Sequence, residues 1–211
     1  MPYALAIFDL DGTLSDSLPW FQRHVNDIAD RFGFLRIAEE DIASLRRAGT
    51  REILDRLKVP TWKLPMIVRY TRRLKSAYLH EIPLFPGTDA MLRTLKDAGM
   101  SLALVSSDTL ENAKRQLGAA NAALISHFAC GASLFGKAAK FRRVLKRTGA
   151  DVARTIAIGD EVRDIEAAHA VGIACGAVTW GYAAPETLRA LAPDLMFDAM
   201  EDIAPGLLPA G

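Results

Sequence analysis

Ala4-Leu5-Ala6-Ile7-Phe8-Asp9-Leu10-Asp11-Gly12-Thr13 runs five apolar residues into an acidic turn that contains a glycine. A run this short cannot form a buried helix, and it predicts a strand covered on both faces, as in a parallel sheet. Similar runs recur at 101–105, ending at Ser106-Ser107-Asp108, and at 155–158, ending at Gly159-Asp160. A fourth spans 173–178 and a shorter fifth 195–197. Helical periodicity fills the gaps at 89–98, 110–117, 137–148 and 164–171, with Gly99, Gly118, Gly149 and Gly172 just past the helix ends. Strands alternating with helices make βαβ units, hence a parallel sheet between helical layers.

Residues 17–80 break that rhythm. They carry amphipathic helical patterns at 20–32, 41–47, 50–57 and 66–79, with no strand pattern among them. The expected architecture is α/β: a Rossmann-like three-layer core with a mostly parallel sheet, built from residues 1–15 and 84–211. An all-helical insert, residues 16–83, interrupts it after the first strand. The closing stretch 205–211 is expected to be a loose tail.

With 211 residues, 50% hydrophobic and 24% charged, the chain can bury one core plus a modest inserted lobe, and disorder is excluded. Lys and Arg number 26 against 25 Asp and Glu, a net charge of +1, which gives no reason to expect nucleic acid or an anionic membrane as partner. No apolar run approaches the ~18 residues of a membrane span, and the N-terminus lacks the basic region of a signal peptide. Cys130 and Cys175 lack metal-ligand spacing and suit a reduced, cytoplasmic compartment. The neutrality is uneven: residues 15–84 hold 13 basic and 9 acidic residues, the remainder 13 and 16. That split fits either ordinary solvated faces or a basic lobe over an acidic site.

Open parallel sheets collect their chemistry outside the carboxyl ends of the strands. Asp9 and Asp11, two apart on an extended segment, start out facing one crevice, with Leu10 toward the core. Paired carboxylates there suit a hard metal ion or a nucleophile beside a general acid/base, and equally an Asp-rich turn. The third run ends at Asp160, and Asp164 follows one helical turn later. Two acidic clusters at carboxyl ends of parallel strands favour one convergent acidic site. Ser106 and Ser107 could hold a phosphate at a strand-to-helix turn, or cap a helix, with Glu111 placed to complete a capping box from Asp108. Lys137 opens a helix, an end already positive, and so calls for a negative partner. Lys140, one turn on, competes for that role.

Asp9-x-Asp11-x-Thr13, Ser106, Lys137 and Gly159-Asp160-x-x-x-Asp164 stand in the order of the four motifs of the haloacid-dehalogenase-like hydrolases. The helical insert resembles the cap of the phosphoglycolate-phosphatase-like branch. Two departures from that branch are Ser107, where an Asn is frequent, and Ala138, where a Pro commonly follows the lysine. The resemblance implies a Mg²⁺-dependent phosphatase that hydrolyses a small-molecule phosphate monoester through an aspartyl-phosphate. Asp9 would be the nucleophile and a metal ligand. Asp11 would be the general acid/base, ligating the metal through its backbone carbonyl, and Thr13 would orient the loop. Ser106, Ser107 and Lys137 would bind the phosphoryl oxygens, and Asp160 and Asp164 would complete the metal site.

Asp11 and Asp160 argue against carbon–halogen cleavage, whose enzymes manage without them, and Asp11 disfavours the phosphonate-cleaving branch. Alternatives are a phosphomutase on a sugar phosphate or a non-catalytic phosphate-binding module. The expected partner is a small phosphorylated metabolite, and the default assembly is a monomer, with a dimer open. Arg47 and Arg51, at a helix break in the insert, are candidate substrate readers, while arginines on such helices are more often solvated. Trp20, Trp62 and the four histidines read as packing or structural residues.

Overall fold

The computed structural model describes residues 3–131 and 136–208. Six strands form one parallel sheet in the order β3-β2-β1-β4-β5-β6. They are β1 (Leu5–Phe8), β2 (Ser101–Val105), β3 (His127–Ala129), β4 (Thr155–Gly159), β5 (Ala174–Val178) and β6 (Leu195–Phe197). β1 lies at the centre, its Leu5 in register with Ser101 of β2 on one side and Thr155 of β4 on the other. All four of its side chains are buried, as expected of a strand covered on both faces.

The period of two along each strand sorts those side chains into two cores. Ala6, Phe8, Leu102, Leu104, Ile156 and Ile158 face one layer, where helices α5 (Thr88–Asp97), α6 (Leu110–Leu124) and α10 (Ile203–Leu207) pack. Leu5, Ile7, Ala103, Val105, Ala157 and Ala177 face the other, covered by α7 (Lys137–Thr148), α8 (Val162–His169) and α9 (Pro185–Ala190). The result is the α/β three-layer sandwich expected.

Between β1 and α5 the described chain forms only helical elements, apart from single β-bridges of Ser15 with Asp11 and Leu84. Its α-helices are α1 (Leu18–Phe32), α2 (Ile42–Leu45), α3 (Thr50–Arg56) and α4 (Leu64–Ala77), with a 3₁₀ turn before α2, before α4 and after α4. Leu45, Leu57 and Val59 give this insert a small core of its own, flanked by Phe34, Ile37, Ile53 and Ile67. A seam of hydrogen bonds joins it to the sandwich. Arg46 donates to the carbonyls of Tyr182 (3.0 Å) and Gly181 (2.9 Å), and the Ala184 amide donates back to the Arg46 carbonyl at 2.7 Å.

Within α6 a first helix ends at Gly118 as expected, where φ 74° and ψ 162° are non-helical, and a second helical segment follows to Leu124. Two expectations need correction. The strand β3 carries no apolar run of the required length and is a sixth strand beyond the five expected. The tail is not loose through Leu207, because α10 buries Ile203, Ala204 and Leu207 against the first core. Residues 209–211 lie outside the described residues.

Replacing Arg46 by Ala removes two charged hydrogen bonds to carbonyls, each of a kind that contributes about 1.5–3 kcal/mol. The expected outcome is a lower urea midpoint, with faster amide hydrogen exchange at Ala184.

Candidate active site

β1 delivers Asp9 to the carboxyl edge, where its amide still donates to the Ile158 carbonyl of the neighbouring strand at 2.9 Å. The chain then turns back on itself, with the amides of Leu14 and Ser15 both donating to the Leu10 carbonyl at 2.9 Å. Gly12 takes a left-handed φ of 81° in this turn. A side chain there is excluded twice over, since a Cβ would fall 2.2 Å from Asp160 Oδ2. From the other side, a Cβ on Gly181 would fall 2.2 Å from the Cβ of Asp160. The two glycines thus let loops from β1 and β5 close around one carboxylate.

That carboxylate is fully buried and held at both oxygens. Thr13 Oγ1 donates to Asp160 Oδ1 at 2.7 Å, and the Tyr182 amide donates to Oδ2 at 2.8 Å. Asp164 sits in the first turn of α8, where it forms a capping box with Glu161. One carboxylate oxygen from each of Asp9, Asp160 and Asp164 lies within 4.8 Å of the others.

Three buried carboxylates at this separation repel each other strongly unless cations intervene. Lys137 supplies one such charge. From the first turn of α7 its Nζ lies 3.1 Å from Asp9 Oδ2 and pairs with Asp164 Oδ1. Burial pushes the lysine's pKa down, but Asp164 and Asp9 more than offset this and hold it above the ordinary value. For Asp9, burial dominates and pushes the carboxyl up to about 6, with Lys137 pulling down and Asp164 pushing further up. Asp160 is raised well above the usual carboxylate range by burial first, then by Glu161, Asp9 and Asp164, against the Tyr182 amide. Arg163 also acts on Asp9 but is paired with Glu161, so the cluster is left short of positive charge. Its donors are all hard oxygens, the set that fits a small divalent cation keeping some of its water.

Lys140 does not reach the acids. Its Nζ donates to the carbonyls of Ser106 (2.6 Å) and Gly131 (2.7 Å), tying together the loops that follow β2 and β3. Burial and the charge of Lys137 lower it to about 8. Ser106 is buried and Ser107 half-buried. Both line a small recess with Lys137, Lys140 and Arg163.

Asp11 points elsewhere, to a residue the sequence reading passed over. Lys75, on α4 of the insert, places Nζ 2.5 Å from Asp11 Oδ1 and 2.8 Å from Asp108 Oδ2. It is only 5% exposed. Its pKa stands above the ordinary value, because Asp11 and Asp108 outweigh the downward push of burial. Asp108 also accepts from the Thr109 amide (2.6 Å) and from Asn112 Nδ2 (2.9 Å) through Oδ1. The expected capping box from Asp108 to Glu111 does not form; Thr109 is the N-cap, accepting from the Asn112 amide at 3.1 Å. Arg47 lies on an exposed face and pairs with Glu186 at 2.9 Å. Arg51 is exposed as well.

So Asp9, Thr13, Asp160, Asp164 and Lys137 meet in one contact network, with Ser106 and Ser107 beside Lys137. Asp11 borders this network under the insert, while Arg47 and Arg51 remain outside it. An α/β sandwich with carboxylates and a lysine gathered at its strand ends is a frame that suits a hydrolase. Residues 6–178 match the haloacid dehalogenase-like hydrolase family, and the chain belongs to it. It is 33% identical over 198 residues to a phosphoglycolate phosphatase of Synechococcus elongatus, covering 93% of each chain. A phosphoglycolate phosphatase of Agrobacterium fabrum is 28% identical over 216 residues, covering 96% of this chain and 91% of that one. Among solved structures, a predicted phosphatase from Clostridium acetobutylicum superposes with a TM-score of 0.82 at 22% identity, covering 98% and 99% of the two chains. That last likeness concerns the fold alone.

Removing Lys75 leaves Asp108 buried without its cation. Lys75→Met should destabilise the protein by about 3–5 kcal/mol, the usual cost of stripping one partner from a buried ion pair. Chemical denaturation checks this, and the double variant Lys75→Met/Asp108→Asn should recover part of the loss.

Proposed function

We propose that the protein is a Mg²⁺-dependent phosphatase acting on a small phosphate monoester through an aspartyl-phosphate on Asp9. The observation that carries this reading is the junction of Asp9, Lys137, Asp160 and Asp164 at the strand ends, an arrangement suited to a nucleophilic carboxylate next to a cation site. The insert, acting as a cap over this edge, would limit the access of water.

Asp9, Asp160 and Asp164 would hold Mg²⁺ through carboxylate oxygens, and Asp11 through its backbone carbonyl. When bound, the ion supplies positive charge to the phosphoryl oxygens and to Asp9. The phosphoryl group would lie in the recess of Ser106, Ser107 and Lys137, so that charge stabilisation and positioning come from fixed groups, as phosphoryl transfer requires. A carboxylate oxygen of Asp9 forms the new bond to phosphorus as the ester P–O bond breaks, and Asp11, once parted from Lys75 and protonated, would give its proton to the leaving oxygen. In the second half Asp11 takes a proton from water, the water oxygen attacks phosphorus, and the P–O bond to Asp9 breaks to release phosphate and restore the carboxylate. Thr13 holds Asp160 throughout. The compartment that fits a reduced Cys130 and Cys175 is the cytoplasm, and a monomer suffices for this chemistry.

Phosphate release from phenyl phosphate tests the reading. Wild-type protein should release phosphate with Mg²⁺ and not with a chelator, and Asp9→Asn should lower kcat by at least about a thousandfold, on the scale of removing a nucleophile. Absence of release by the wild type, or undiminished release by the variant, would falsify it.

Mg²⁺ must find Asp9 ionised. With burial pushing the metal-free carboxyl up to about 6, the proton competes at Asp9 below that pH, and Asp160, raised well above the usual carboxylate range, adds to the competition. Affinity should then be at least about tenfold weaker at pH 5 than at pH 7.5, one pH unit below the pKa of Asp9 alone costing one decade. At ten times its dissociation constant the ion stabilises by about 1.4 kcal/mol, or about 3–6 °C in Tm for a chain of this size. Thermal melts in titrated Mg²⁺ at the two pH values check this.

A further inference from the structure

A cavity of about 430 Å³ lies between the insert and the sandwich, within the roughly 300–1,000 Å³ common for small-molecule sites. Phe21, Val25, Ile42 and Ile53 form its insert side, and Val162 and Tyr182 its core side. Its back wall belongs to the catalytic edge. Tyr182 is the residue whose amide holds Asp160, its hydroxyl bonds Ser17 at 3.0 Å, and Glu161 follows Asp160 directly.

The polar groups of the lining are largely engaged already. Asn26 closes its amide on the backbone of Ile37 in both directions, at 2.8 and 3.0 Å. Arg46 is bound to the carbonyls of Gly181 and Tyr182, and Glu161 pairs with Arg163. Among the described residues lining the cavity, Arg46 is the one cation, against the two acids Glu39 and Glu161. An alcohol carrying a carboxylate would find no uncommitted positive charge here, while Glu39 adds a negative one. An uncharged hydrocarbon group would find an apolar wall.

We infer that the preferred substrates are phosphate monoesters of uncharged apolar alcohols, medium-length alkyl or aryl, with the alcohol portion seated in this cavity. The inference rests on the phosphatase reading for the position of the phosphoryl group, and it assigns the leaving-group side. It sets the enzyme apart in substrate class from relatives named for phosphoglycolate, whose alcohol is a two-carbon acid.

The test is a series of n-alkyl phosphates from methyl to hexyl, with phenyl phosphate and phosphoglycolate as further arms, assayed for phosphate release with Mg²⁺. The expected result is a rise in kcat/KM of about fourfold for each methylene, the transfer value for a buried CH₂, with hexyl and phenyl phosphate at least tenfold above phosphoglycolate. A flat or falling series, or preference for phosphoglycolate, overturns the inference and leaves the phosphatase reading intact. Binding of the matching n-alkyl phosphonates by calorimetry reads the cavity without turnover. If no ester is cleaved but hexylphosphonate binds more tightly than methylphosphonate, the phosphatase reading fails and the cavity assignment holds. If the phosphonates bind alike, the assignment fails. Val25→Trp, which fills the cavity from α1, should abolish the advantage of hexyl over methyl phosphate. Persistence of that advantage in a folded Val25→Trp protein would count against the inference.

Discussion

The ammonium of Lys137, set between Asp9 and Asp164, is the contact on which the acidic cluster at the strand ends depends. Three carboxylates within 4.8 Å of one another, all buried, cannot stand without positive charge among them. A lysine in the first turn of a helix is itself unfavourable, because the helix dipole already places positive charge there. Each problem answers the other. The parallel sheet makes this possible, since β1 and β4 are neighbours and bring Asp9 and Asp160 to the same edge, while α7 aims its first residue across them.

A second lysine does comparable work on the other flank, by a different route. Lys75 comes from the insert, and through Asp11 and Asp108 it holds carboxylates from the ends of β1 and β2. The basic excess of residues 15–84 and the acidic excess of the remainder therefore meet, at least in part, as direct ion pairs. The small net charge of the whole chain is a balance between two lobes in contact.

How far the sequence reveals this depends on how each residue expresses its role. Asp9, Asp160 and Asp164 stand where strand patterns end, and the topology of parallel sheets gathers such positions. Lys137 was legible because its place at a helix start is costly without a partner. Lys75 offered no such signal: a lysine in an amphipathic helix is ordinarily solvated, and only the docking of α4 on the core buries it. Asp108 carried a local capping pattern, and the tertiary ion pair displaced it. The three-residue β3 was invisible because His127, Phe128 and Ala129 borrow their pairing from β2 and show no apolar run of their own. The competition between Lys137 and Lys140 needed coordinates as well, since both lie on one face of α7 and only distance separates an acid from a carbonyl. The cavity between the lobes draws its lining from four separate stretches of chain, which no local pattern relates.

The loop that follows β5 has two attachments. Its Tyr182 amide holds Asp160, and its Gly181 and Tyr182 carbonyls hold Arg46 of the insert. The acid cluster and the insert are thus fastened to the same short piece of backbone, which at Gly181 packs so closely on Asp160 that a Cβ would not fit. Any displacement of the insert that keeps the Arg46 bonds must drag this loop, and with it a hydrogen bond on a carboxylate of the acidic cluster. Mechanically, the insert and a carboxylate of the acidic cluster form a single linkage.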